Sequence, residues 1–450
     1  MSIALLDSKG GSLTYKELAD FCDGFKGEYN LKERDFVFLL CGNDVSSAAF
    51  FIGCIHNRVV PLLLNANIDK DMLNRYISIY RPNYIFMDNK LCAESAESVN
   101  LYKQLSFLLP TSGSTGGAKL VRHSYNNIRA NAANVARAFD IKKDERAMLT
   151  LPIYFTQGLS VLCSHLTAGA SVYLSDDALS SREFWNSMKN EGITSFTGVP
   201  YSFEILDKLR FYTAKLPSLT VLSQGGGRLS AELWDKLATF AKDTGKRFYA
   251  TYGASETTAR MSMLPPESAL ESPCSIGRPI EPYKMWLIDE EGNEITETDK
   301  PGELVFQGEN VTLGYAESLD DLAKGDERGG IYKTGDIAHR DKNGFYYISG
   351  RLARFIKIFG LRINLDETER LIKAEFGDGF ACTGNDTRLY VCVADKNADG
   401  KAIKQFLQNK LKINISAFDV VFVEEIPRNQ YGKVSYAKLK NIAERGEAHE

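Results

Sequence analysis

The sequence predicts an α/β fold in two parts, and three observations carry the prediction. Up to Ala254, short apolar runs alternate with amphipathic helical stretches, the βαβ rhythm of parallel-type sheets covered by helices. From about 274 to 350 the texture turns to short strands with turn signals, a small β subdomain. Residues 351–450 then read as a separate, smaller α+β domain, which leaves 1–350 as a large N-terminal α/β domain.

The elements follow in order. Thr14-Tyr15-Lys16-Glu17 is a capping box opening a helix with Leu18, Phe21, Cys22 and Phe25 on one face. Residues 36–40 read as a buried strand, 44–56 as a helix, 59–64 as a strand, 69–80 as a helix stopped before Pro82, and 84–87 as a third strand. Residues 88–104 are polar and give no clear assignment. A strand at 107–109 leads into a glycine-rich run, and 126–139 reads as a helix. Beyond it, strands are expected at 148–151, 171–174, 193–196, 219–222 and 247–250. Helices are expected at 159–166, after a cap at Ser180, and after a cap at Ser230. Four runs of unusual composition follow these strands: Pro152 to Gly158, Val199-Pro200, Gly225-Gly226-Gly227, and Thr251 to Thr257. In open α/β sheets, ligands sit at the carboxyl ends of strands, so the four runs are expected to converge there. Gly350 to Arg354 is the expected linker between the two domains.

Composition narrows the function. With 54 basic and 58 acidic residues in 450, net charge is −4 and no strongly basic run stands out, so a nucleic-acid partner is not supported. Apolar runs are too short to span a bilayer, and the start lacks a signal peptide's basic lead. The eight cysteines contain no C-x-x-C pair and read as reduced and buried, which together with the missing signal peptide suggests the cytoplasm. Five histidines show no metal-ligand spacing.

The run Thr111-Ser112-Gly113-Ser114-Thr115-Gly116-Gly117-Ala118-Lys119 has the chemistry of a polyphosphate grip. Glycines let backbone N–H groups turn inward, hydroxyls add donors, and the lysine brings a mobile positive charge. A Walker A loop is excluded, because Ala118 stands at its second glycine and Leu120 at the Ser/Thr after the lysine. Alone, such a run is as readily a surface loop.

Seven motifs in order across residues 111–434 resemble those of the adenylate-forming superfamily: acyl-CoA synthetases, peptide-synthetase adenylation domains and luciferases. They are Thr111 to Lys119; Gly225-Gly226-Gly227-Arg228-Leu229; Tyr252-Gly253-Ala254-Ser255-Glu256; Gly302-Glu303-Leu304 with Gly314-Tyr315; Tyr332-Lys333-Thr334-Gly335-Asp336; Gly350-Arg351 with Ile356-Lys357; and Pro427-Arg428-Asn429 with Gly432-Lys433-Val434.

The resemblance implies an ATP-dependent, AMP-forming carboxylate ligase with Mg²⁺ as cofactor. It would hand the acyl group to coenzyme A or to the phosphopantetheine of an acyl carrier protein. It implies that Ser112, Ser114, Thr115 and Lys119, with Thr111, Gly113 and Gly116, hold the phosphates. Ser255 would touch the α-phosphate and Glu256 would ligate Mg²⁺. Thr251, Tyr252, Gly253 and the backbone of Gly226, Gly227 and Arg228 would face adenine, and Asp336 with Arg351 the ribose. Lys433, in a mobile C-terminal domain, would bridge carboxylate, ribose and phosphate, making Lys433, Lys119 and Glu256 the catalytic set. Tyr154, Phe155, Gln157, Gly198 and Gly225 would line the acid pocket.

Two departures stand out. Ala353 occupies the hinge position usually held by Asp, and Thr156 the position that carries Asp in amino-acid-activating members. The pocket lining is therefore expected to be uncharged, which disfavours an α-amino acid, and the chain's compactness for the family it resembles favours a small carboxylic acid. An aminoacyl-carrier-protein ligase and a non-catalytic nucleotide-binding homologue are the alternatives.

Overall fold

The structure is a computed structural model and describes residues 2–110, 119–359, 361–428 and 434–446. Thr111, Ser112, Gly113, Ser114, Thr115, Gly116 and Lys433 lie outside the described residues. The chain divides into two units, the larger comprising residues up to 110, 119–285 and 306–332, the smaller 286–305 and 333 onward.

The larger unit is built on two sheets. One runs, in spatial order, Arg278–Pro279, Ala259–Leu264, Arg247–Ala254, Val221–Gln224, Ser195–Gly198, Arg146–Leu149, Ser171–Leu174, Ile3–Asp7 and Ser12–Thr14. Its inner six strands, from Arg247–Ala254 to Ile3–Asp7, are parallel. The other runs Gly314–Ala316, Leu120–Ser124, Leu105–Pro110, Val60–Asn65, Phe36–Cys41, Tyr84–Met87 and Lys90–Ala93. Strand Phe36–Cys41 is buried at every position, as a parallel strand covered on both faces must be.

Helices behave as their sequences ask. Thr14 and Glu17 form the capping box of Tyr15–Tyr29, whose Leu18, Cys22 and Phe25 are buried. Asp44 caps Val45–His56, Asp69 caps Lys70–Tyr80 and Ser230 caps Ala231–Asp243. Around Phe25, Phe50 and Phe86 an aromatic cluster fills the core, with Phe50 and Phe86 stacked at 3.8 Å.

Four expectations need correcting. The cap of Arg182–Asn190 is Ser181, not Ser180, since its side chain accepts from the Phe184 N–H. Val199-Pro200 does more than break a strand: Pro200 is the first residue of helix Pro200–Lys208, where its missing N–H costs nothing. Thr251 to Ala254 is not loop but the end of strand Arg247–Ala254, turning through Ser255–Thr257 into Ala259–Leu264. Gly350 and Arg351 are not free linker either, since they end strand Tyr346–Arg351, and a single 3₁₀ turn, Leu352–Arg354, follows.

The smaller unit carries a sheet ordered Glu294–Ile295, Lys284–Ile288, Gly302–Gln307, Ile331–Arg340 and Tyr346–Arg351. A hairpin, Phe355–Ile358 with Leu361–Asn364, and a three-stranded sheet, Phe380–Gly384, Leu389–Val393 and Phe418–Phe422, complete it. Its helices are Leu365–Phe376, Gly400–Leu411 and Tyr436–Gly446. No described helix is long and apolar enough to cross a membrane.

Candidate functional site

In the larger unit, strands Arg146–Leu149, Ser195–Gly198, Val221–Gln224 and Arg247–Ala254 are parallel neighbours. Their carboxyl ends therefore open side by side, and the four unusual runs leave from that edge. They touch. The Gly225 N–H donates to the Gly198 carbonyl at 3.2 Å, and the Thr251 hydroxyl to the Gln224 carbonyl at 2.9 Å. A Cβ at Gly225 would lie 2.4 Å from Gln157 Nε2 and 2.5 Å from Thr251 Oγ1, so any other residue there would displace both side chains. Gly226 has φ +76°, the left-handed region that favours glycine. Gly227 and Arg228 are exposed beyond it. Tyr154 and Phe155 lie with ring centroids 4.8 Å apart at the entrance of helix Thr156–Thr167, both half-buried. Gln157 sits in the first turn of that helix, its Nε2 buried without a hydrogen-bond partner.

At the hairpin turn, Gly253 lies under Ala259, whose carbonyl oxygen would be 1.8 Å from any Cβ there. Tyr252 is half-buried opposite Ser262. Ser255 and Glu256 occupy the 3₁₀ turn, closed by Thr258 at φ +58°. The turn is pinned from outside. The Asn310 amide donates to the Thr257 carbonyl at 2.8 Å, and the Thr312 backbone N–H to the Glu256 carbonyl at 2.9 Å. The Glu256 carboxylate accepts the Tyr315 hydroxyl at 2.7 Å. Burial first, then this carboxylate, pushes the Tyr315 phenol well above its ordinary range, so it stays a donor. Lys119 Nζ stands 3.8 Å above the centre of the same ring and 3.1 Å from Glu317. Lys119, Tyr315 and Glu256 thus form one constellation.

The residue that places Tyr315 is Arg122, whose side chain is fully buried. Strand Gly314–Ala316 pairs with Leu120–Ser124, setting Tyr315 opposite Val121. Arg122 donates to the carbonyls of Tyr315 at 2.9 Å, Leu313 at 3.2 Å and Lys324, and pairs with Glu327. A guanidinium with this many acceptors tolerates burial. Tyr315 and Arg122 received no role from sequence; the Gly314-Tyr315 pair was the available signal, whereas the burial of Arg122 leaves none.

In the smaller unit, Asp336 and Arg351 face each other across a strand pair, and Arg351 Nε lies 2.8 Å from Asp336 Oδ1. Asp336 is buried while the Arg351 side chain is mostly exposed. Just beyond, Arg354 is only 12% exposed and belongs to a cluster of charges. It pairs with Asp366, approaches Glu369 at 3.5 Å, and stacks at 3.5 Å over the Tyr436 ring. Lys373 closes the cluster at 2.6 Å from Glu369. Arg354, at the end of the expected linker, is tied down by these contacts.

Among the described residues, no group of three or more His, Cys, Asp or Glu could hold a metal ion. Glu256 offers one carboxylate with Oε1 already bonded, which suits an ion that takes its remaining ligands from phosphates and water.

The chain matches the family described as AMP-binding enzyme over residues 96–316. It is 28% identical over 358 residues to a 2-succinylbenzoate–CoA ligase of Geobacillus sp. (strain WCH70), covering 76% of this chain and 70% of the relative. It is 27% identical over 362 residues to an oxalate–CoA ligase of Arabidopsis thaliana, covering 77% and 69%. The fold matches that of o-succinylbenzoate CoA synthetase from Bacillus subtilis, solved with its acyl-adenylate intermediate, at TM-score 0.80 and 20% identity over 97% of this chain and 95% of that one.

Proposed function

We propose that this chain is an ATP-dependent, AMP-forming acid–thiol ligase acting on a small carboxylic acid. The observation that carries the reading is the Lys119–Tyr315–Glu256 constellation, which holds a cation and an oriented carboxylate together and whose lysine closes the Thr111 to Lys119 run. The names of its relatives, all acid–CoA ligases in the two cases above, support it.

In the first half-reaction a carboxylate oxygen attacks the α-phosphorus of ATP, pyrophosphate leaves, and an acyl-adenylate forms. Charge builds on phosphoryl oxygens, so positioned cations and donors supply the catalysis. Lys119 and the hydroxyls of residues 111–115 neutralise the leaving pyrophosphate. Glu256 would hold Mg²⁺, which when bound would screen phosphate charge, and Tyr315 keeps that carboxylate oriented. Tyr252 and the backbone of 226–228 face adenine, and Asp336, steadied by Arg351, accepts the ribose hydroxyls. In the second half-reaction a thiol of coenzyme A or of a carrier protein's phosphopantetheine attacks the acyl carbon, and AMP leaves. Residues 351–450 act as the mobile domain that presents Lys433 for adenylation. The eight unpaired cysteines fit a reducing compartment such as the cytoplasm.

ATP–pyrophosphate exchange across short, branched, aromatic and amino acids tests this. Exchange with a non-amino acid, lost in Lys433→Ala, is expected. ATP binding without exchange for any acid would favour a non-catalytic homologue instead.

A further inference from the structure

Arg260 is a buried cation with no anion. It lies in strand Ala259–Leu264 and is 4% exposed. Its Nη1 reaches Ser160 Oγ at 3.4 Å and its Nη2 reaches Thr197 Oγ1 at 3.5 Å, both at the long limit of a hydrogen bond. Its Nε has no partner, and its guanidinium carbon stands 4.9 Å over the Phe139 ring. No carboxylate among the described residues pairs with it. Burial alone draws its pKa down to about 10, so it remains charged at neutral pH. Folded proteins rarely leave such a group uncompensated, because an unpaired buried charge is strongly destabilising. Arg122 shows the ordinary solution in the same unit, with an ion pair and three carbonyls.

Two more buried polar atoms nearby lack partners. Ser223 Oγ is one, and Ser223 is the register partner of Thr197 on the adjacent strand. Gln157 Nε2 is the other, on the same helix as Ser160 and three residues before it, hence on the same face. Gln157 also lies against Gly225, in the loop layer at the strand ends. Guanidinium, hydroxyl and amide nitrogen are all donors. Their complement is a compact group rich in acceptors and negatively charged.

We infer that Arg260 is a specificity residue and that the acid substrate carries a second anionic group, which Arg260 holds together with Ser223 and Gln157. The inference rests on the ligase reading and names its substrate class. It also revises the expectation of an uncharged lining: the 154–157 loop has no ionisable head other than the Tyr154 phenol, but the layer of Ser160, Thr197 and Arg260 holds a positive charge. A monoacid of the same length leaves the three donors unanswered, whereas a diacid satisfies them; sites built to bond a polar group reject analogues that lack it.

The test is ATP–pyrophosphate exchange by the full chain with matched pairs: butyrate against succinate, valerate against glutarate, benzoate against phthalate. One diacid is expected to exceed its monoacid partner in kcat/KM by about 100-fold or more. Arg260→Met should lose that preference, mainly through a raised KM for the diacid. Arg260→Lys, which keeps the charge without the fork, should retain part of it and serves if the Met variant folds poorly. Equal use of mono- and diacids, or an Arg260→Met enzyme with an unchanged preference, overturns the inference. Thermal stabilisation by the diacids without ATP separates the two readings. Arg260-dependent stabilisation without exchange would sink the ligase reading and leave the anion site. Exchange with monoacids only would do the reverse, and neither signal would sink both.

Discussion

The phenol of Tyr315 donates a 2.7 Å hydrogen bond to Glu256, a residue 59 positions earlier in the chain. Two separate devices make this contact. One is a strand pairing that sets Tyr315 against Val121; the other is a tight turn, fastened by Asn310 and Thr312, that presents Glu256. The proposed magnesium ligand is therefore aimed before any nucleotide arrives.

Removing that aim should be measurable. A hydrogen bond to a charged group contributes about 1.5–3 kcal/mol. Tyr315→Phe is expected to raise KM for MgATP in pyrophosphate exchange by on the order of 10-fold, with the melting temperature little changed. An unchanged KM would mean that Glu256 needs no such guide.

Asp336 is buried, but its partner Arg351 is mostly exposed, so loss of the pair should cost little stability. Asp336→Asn is expected to weaken ATP binding by about 10- to 100-fold, as loss of charged hydrogen bonds to a diol would. Urea unfolding should shift by less than about 1 kcal/mol. Calorimetric titration showing wild-type ATP affinity would remove Asp336 from the nucleotide site.

Arg354 behaves oppositely. It lies in a nearly closed cluster with Asp366, Glu369 and Tyr436. Arg354→Met leaves two carboxylates facing a methylene chain and should destabilise the smaller unit by about 3–5 kcal/mol. Denaturant unfolding followed through that unit checks it. A loss below about 1 kcal/mol would show that Lys373, the Cys382 N–H and the Tyr436 hydroxyl suffice to sustain Glu369.

Stability should fall on mild acidification, because of two buried histidines. Burial holds His123 and His165 down to about 3 and about 4, from an ordinary 6.5. Below 6.5 the unfolded chain takes up protons at both sites while the folded chain does not, so stability falls with pH until about 4 for His165 and about 3 for His123. At pH 5 each contributes a loss of about 2 kcal/mol. Melting temperatures between pH 7.5 and 5 should decline less steeply in His165→Gln; parallel curves would place the acid sensitivity elsewhere.

How far the sequence spoke depends on the physics behind each feature. The α/β rhythm was legible because apolar runs such as Phe36–Cys41 and capped helices such as Tyr15–Tyr29 are local signals. Helix Pro200–Lys208 was hidden because proline both breaks strands and begins helices, and nothing local decides between them. Strand Leu120–Ser124 was lost because Arg122 and His123 spoil its apolar pattern, although both are buried. Lys119, Glu256 and Asp336 were visible as members of spaced motifs. Arg260 was not, since Ala-Arg-Met-Ser-Met reads as an ordinary alternating strand and only the tertiary structure shows that its charge has no partner.

Gly225 sits where Gln157 and Thr251 leave no room for a methyl group, and its N–H is bonded to Gly198. The four loops at the strand ends are therefore a single machined part. Anyone grafting another enzyme's acid preference onto this scaffold would have to transplant them together, because a bulkier residue at 225 would displace the side chains at 157 and 251 at once. Varying position 225 therefore calls for varying 157 and 251 with it.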